Sequence, residues 1–170
     1  MEKSTKMIVI IVAVLGVAVA VLAYLNHGII SERLALLEEG TFMISSDDTT
    51  HHVSIHDLME IGVHDISASP RGELRTFTGV PIVYILRHFD IDYSEASSVL
   101  FLSLDGFATT ITIAEALNAN NAFVVFEESG ELLGAREEGG LGPYMIVMAE
   151  DPFPNRWARY LMEVRLQGGN

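Results

Sequence analysis

The sequence predicts an α+β fold, with β-rich mixed sheets and short inserted helices, preceded by one transmembrane helix. Two hydrophobic patterns and a set of turn signals predict it. An uncharged apolar run opens the chain directly after Lys3 and Lys6. Beyond it, apolar residues fall in strand-length runs separated by Asp-Gly, Ser-Gly and Gly-Pro turns. Helical spacing and capping residues appear only in short segments.

Met7 to Leu25 reads MIVIIVAVLGVAVAVLAYL, 19 residues without a charge. At about 1.5 Å per residue such a helix spans close to 30 Å, the thickness of a hydrocarbon core. The lysines before it keep that end in the cytoplasm by the positive-inside rule, and Tyr24 falls near the outer interface. The sequence therefore predicts a cytoplasmic N-terminus over residues 1–6, a membrane anchor over 7–25, a juxtamembrane helix or linker over 26–40 and an extracytoplasmic domain over 41–170. A cleaved signal peptide is the alternative, with Ala18-Val19-Ala20 as its small-residue site.

After the anchor, Ile29 to Glu39 carries the spacing of a short helix stopped by Gly40. Thr41 to Ser46 reads as a strand and His52 to Ser54 as a second. Ser54-x-x-Asp57 is a helix start, because a carboxylate there meets the free N–H groups of the first turn. Ile55, Leu58, Met59 and Ile61 are its expected buried face, and Gly62 its end. Val63 to Ala68 is extended, and Ser69-Pro70-Arg71-Gly72 a loop. A helix is expected over Val80 to Phe89, with Pro81 in its first turn and Ile82, Ile85, Leu86 and Phe89 on one face. Ser98 to Leu104 and Phe107 to Thr112 flank Asp105-Gly106, a strong hairpin signal. Thr112 and Glu115 form a capping box for another short helix. Ala122 to Glu127 and Tyr144 to Ala149 are buried-type strands, Pro154 to Tyr160 a helical turn, and Met162 to Leu166 a closing strand.

Charge and cysteine content exclude whole classes of function. From Asn26 onward eight arginines face 22 acidic residues. Phosphate backbones and anionic headgroups repel such a domain, so no nucleic-acid partner is expected and the domain stands off the membrane that tethers it. The chain has no cysteine, which excludes disulfides, thiolate metal sites and cysteine nucleophiles.

From about Val53 to Leu166 the order of motifs resembles the sulfite-oxidase-type molybdopterin-binding domain family. The residues that carry the resemblance are Thr78-Gly79-Val80-Pro81-Ile82, then Asp105-Gly106-Phe107, the short helix opened by Thr112 and Glu115, Gly139-Gly140-Leu141-Gly142-Pro143-Tyr144, and Arg156-Trp157 before the last strand. The resemblance implies the fold. In the enzymes a cysteine thiolate in the segment before the Thr-Gly-Val-Pro motif ligates molybdenum. Here that segment is Asp65-Ile66-Ser67-Ala68-Ser69-Pro70. A serine hydroxyl, protonated at neutral pH, does not replace a soft thiolate donor. Met145 also stands where the family's Gly-Pro-apolar-Arg pattern has its arginine.

These departures predict a non-catalytic domain without cofactor or metal, binding a small anionic ligand or a membrane-associated protein. Ser67, Ser69, Arg71 and Arg75 are the candidate ligand residues, two hydroxyls and two guanidinium groups beside a glycine loop. A molybdopterin or other redox subunit, its metal ligand supplied from elsewhere, is one alternative. A histidine-based metal or haem carrier is another, since His51, His52, His56 and His64 crowd one stretch, although His52 and His56 straddle a strand and a helix start. Glu127-Glu128 and Glu137-Glu138 are expected as solvated turn carboxylates, and the glycines of 139–142 as a tight backbone path rather than a phosphate loop.

Overall fold

The structure, a computed structural model, describes residue 7, residues 11–22, residue 24, residues 40–46 and residues 49–168. The chain divides into two compact units, Met1–Ala35 and Leu36–Asn170. In the first, residues 11–22 are helical, and among the described residues no helix is long and apolar enough to cross a membrane. The juxtamembrane helix expected over Ile29 to Glu39 lies outside the described residues.

The second unit holds two sheets. The first has the order β2-β1-β10-β5-β6, built from β1 (Thr41–Ser45), β2 (Thr50–Ser54), β5 (Ala96–Ser103), β6 (Ala108–Thr112) and β10 (Leu161–Gly168). The last strand is therefore central. It runs parallel to β1 and antiparallel to β5. The second sheet has the order β3-β4-β7-β8, from β3 (His64–Ala68), β4 (Arg75–Pro81), β7 (Ala122–Glu128) and β8 (Glu131–Leu132). There β9 (Met145–Met148) also pairs with β7. Buried residues of both sheets and of the helices α1 (Ile55–Ile61), α2 (Ile82–His88) and α3 (Ile113–Leu117) join in one hydrophobic core. The α+β architecture predicted by the sequence is thus the one observed.

Local chemistry explains most element boundaries. Ser54 and Asp57 close a capping box at the start of α1, and Thr112 and Glu115 close one at α3. Each box satisfies N–H groups that a helix start leaves free. Gly62 ends α1 at φ 109°, a conformation that side chains with a Cβ avoid. Met59, expected on the buried face, is 58% exposed. It follows Leu58 by one residue, and adjacent helical positions diverge by about 100°.

The helix expected from Val80 begins later, at Ile82, because Gly79, Val80 and Pro81 still pair with β7. The pairing of β4 with β7 wins over the helical start signal there. Gly79 has a packing reason: a Cβ at this position would meet the Val124 carbonyl oxygen and the Val125 Cα. Gly140 is similarly confined by the backbone of Leu133 and Gly134, the tight path expected of it. The fully buried Tyr144 donates its hydroxyl to the Gly40 carbonyl at 2.6 Å, tying the entry of β1 to the segment before β9. Burial raises the pKa of that phenol.

Candidate functional site

The candidate ligand residues lie on β3, the turn after it and β4, and the register of this hairpin decides where they point. Ser67 pairs with Thr76, and Ala68 with Arg75. Strand side chains alternate between faces. Arg75 therefore shares a face with the buried residues Ala68 and Phe77, whereas Ser67 and Thr76 are exposed on the other. Ser69 and Arg71 are exposed in the connecting turn. Arg71, at φ 59°, donates its N–H to the Pro152 carbonyl at 3.0 Å. The fold brings the Arg71 turn beside the loop before Trp157 and leaves Ser67 on the opposite face of the sheet from Arg75.

Arg75 is bound within the domain. Its Nε and Nη2 donate to Oε1 and Oε2 of Glu128 at 2.6 and 2.7 Å. Its guanidinium carbon lies 5.2 Å from the ring centre of Phe77 and 5.6 Å from that of Trp157. A two-point charge-assisted pair over aromatic faces is among the firmer ways to hold an arginine. Glu128, expected as a solvated turn carboxylate, is instead half-buried in this pair. The reason is register: β7 continues to Glu128, which stands opposite Phe77. Glu138 is exposed in the 3₁₀ turn Arg136–Glu138.

A second ionic group was not flagged by the sequence as a site. Arg156 donates Nε and Nη2 to the two oxygens of Asp151 at 2.8 and 2.5 Å, and Nη1 to Glu115 Oε1 at 2.7 Å. The other Glu115 oxygen receives the Thr112 N–H at 2.9 Å. The hydrogen bond from Arg156, with help from the Thr112 backbone, holds the Glu115 carboxyl below the usual glutamate range, and the two carboxylates raise Arg156 in turn. The group staples the 151–156 loop to α3. It borders an open concavity of about 420 Å³ that also includes Asn118, Asn121 and Glu150. The sequence held signals for it: Glu115 as a cap and Arg156 beside Trp157. Their meeting, 41 residues apart, is a tertiary fact that no local pattern carries.

A further concavity of about 300 Å³ lies near Asp90, Asp92 and Glu95. Neither concavity is lined by Ser67, Ser69, Arg71 or Arg75. Met145, which the resemblance sets where an arginine is expected, is 1% exposed within β9 and belongs to the core.

The four histidines do not converge. His51 is half-buried on β2 with its ring 5.1 Å from that of Phe89. His52 is exposed on the same strand, and His56 is exposed on α1, with Nδ1 3.5 Å from Glu60 Oε1. His64 is exposed on β3, its ring 5.7 Å from that of Tyr84. Among the described residues no group of three or more His, Asp or Glu is arranged to hold a metal.

The cofactor implied by the resemblance can be tested against these donors. A soft metal held by a thiolate, with an anionic pterin, calls for sulfur and free guanidinium groups. The matching segment offers the exposed hydroxyls of Ser67 and Ser69 and no sulfur. Arg75 is neutralised by Glu128, so that only Arg71 of the two candidate guanidinium groups is left, and the larger concavity is lined by Glu115, Glu150 and Asp151 against Arg156. These residues do not fit that group.

No family model matches the sequence, and no curated protein does. Among solved structures, the crystal structure of the sulfane dehydrogenase SoxCD from Paracoccus pantotrophus is similar over 74% of this chain, with a TM-score of 0.60 and 13% sequence identity. The matched part is 37% of that chain. At this identity the likeness shows the fold alone, and the fold is sulfite-oxidase-like.

Proposed function

We propose that this chain is a membrane-tethered, extracytoplasmic sulfite-oxidase-like domain that does not perform molybdenum chemistry and serves as a binding module. The observation that carries the reading is the Arg75–Glu128 pair. The guanidinium beside the segment that corresponds to the enzymes' thiolate loop is bound by an internal carboxylate instead of being free for a cofactor. The absence of cysteine supports the same reading from the side of the metal. Of the two candidate guanidinium groups, that of Arg71, exposed in its turn, is left for an outside anion or a partner's carboxylate.

The tether is supported by the charge-free run from Met7 to Leu25 after two lysines. Protease added to intact cells should digest the domain, and full-length protein should fractionate with membranes. A protected domain reverses the orientation, and a mature N-terminus near Val21 means that the segment is cleaved. The optical spectrum and metal content of the purified full chain test the binding reading. The reading expects neither pterin nor haem. Stoichiometric pterin would make the domain a redox subunit, and haem or a transition metal a histidine-based carrier.

A further inference from the structure

The sheets expose several edges, and their chemistry differs. Edge strands present unpaired N–H and C=O groups, which proteins ordinarily shield with charges, proline, bulges or short length. β2 carries no acidic, Lys, Arg or Pro residue but has the bulky imidazoles of His51 and His52, and β3 carries His64 and Asp65. β8 has two residues, one of them Glu131, and β9 is bridged by Ala158. β6, the far edge of the first sheet, reads Ala108-Thr109-Thr110-Ile111-Thr112. It has no charge and no proline, and its register against β5 is unbroken.

The direction of its free groups follows from the hairpin. The Ser103 N–H donates to the Phe107 carbonyl at 3.0 Å. In an antiparallel pair such bonds recur at every second residue, so Phe107, Thr109 and Ile111 bond towards β5. Ala108 and Thr110 turn their backbone groups outward, and both are exposed. The Thr112 N–H is taken by Glu115. Both groups of Ala108 and Thr110 face outward, whereas the carbonyl of Thr112, the N-cap of α3, accepts the first bond of that helix. Phe107, 40% exposed at the start of the strand, adds an apolar contact.

Glu115 also joins the end of this strand to the 420 Å³ concavity, where Glu150 and Asp151 outweigh Arg156 in charge. We propose that β6 accepts an extended segment of a partner protein as an added strand, with β-branched uncharged residues at its centre and a basic residue reaching Glu150 beyond the Thr112 end. A second copy of the chain is disfavoured as the occupant. An antiparallel pair centred on Thr110 would set Asp105 of one copy towards Glu115 of the other, between domains that are both strongly acidic. This inference rests on the reading of the domain as a binding module and adds a surface distinct from the Arg71 turn. Cofactor analysis tests that reading separately.

The test uses the full chain in detergent micelles and short fluorescent peptides of alternating Thr and Val, ended on both sides by lysine or, as a control, by glutamate. Anisotropy should show binding of the lysine peptide that weakens with salt. Thr110→Pro, which removes an outward N–H, should weaken it by about tenfold or more. Glu150→Gln should weaken it too and flatten the salt dependence. An N-methylated lysine peptide, which cannot complete the ladder, should fail against the unaltered protein and makes the test independent of whether Thr110→Pro folds. Equal binding of the glutamate or N-methylated peptide, or no binding of the lysine peptide, overturns the proposal. Self-association abolished by Thr110→Pro would overturn it in favour of a second copy.

Discussion

Arg75 shows how a residue's chemistry depends on a partner that local sequence does not name. Two arginines and two serines around a glycine suggest an anion site, but one register sends Ser67 outward and another supplies Glu128 to Arg75. The residue types were legible, and their faces were not, because a strand's alternation is fixed only once its pairing is known. A double-mutant cycle of Arg75→Ala and Glu128→Ala, read by chemical denaturation, should give a coupling of about 1–3 kcal/mol for this half-buried bidentate pair. A coupling below about 0.3 kcal/mol would mean that the pair is solvent-screened like an ordinary surface bridge. Glu115 makes a pH prediction. Its folded pKa is depressed, first by the hydrogen bond from Arg156. Its contribution to stability is therefore present above the ordinary glutamate range and is lost as pH falls through the lower folded value. Denaturation midpoints measured across acid pH should fall in that window, and Glu115→Gln should shrink the fall. An unchanged acid limb in the variant would remove Glu115 from the account.

At the scale of elements, what local chemistry dictates was readable. Both capping boxes, the Asp105-Gly106 hairpin and the Gly62 stop are where the sequence puts them. The start of α2 was not, because Thr78-Gly79-Val80-Pro81 serves as strand before it serves as helix entry. Only the approach of β7 shows why Gly79 stands there. Gly79→Ala should destabilise the domain by about 1–3 kcal/mol or more, since the obstacle is backbone and cannot rotate away. A thermal midpoint equal to that of the parent would mean that β4 and β7 are further apart than the structure has them. On α2, Leu86 is fully buried. Leu86→Ala should cost about 2–5 kcal/mol in chemical denaturation, and a cost below about 0.5 kcal/mol would place the helix on the surface.

For the whole molecule, the order of motifs carried the fold class, whereas the order of strands lay beyond it. Nothing local says that the last strand sits centrally between β1 and β5, or that β1 and β10 run parallel, because pairings between strands so far apart in sequence are decided by the assembled core. The same assembly brings Glu128 to Arg75 and Glu115 to Arg156, and it buries Met145. Together these leave a sulfite-oxidase-like scaffold in which Arg75 and Arg156 are held by the domain's own carboxylates, the basis for proposing that it performs no molybdenum chemistry. The molybdenum-to-protein ratio of full-length protein purified from its native host tests this most directly. The account predicts a ratio far below one, and stoichiometric molybdenum would contradict it.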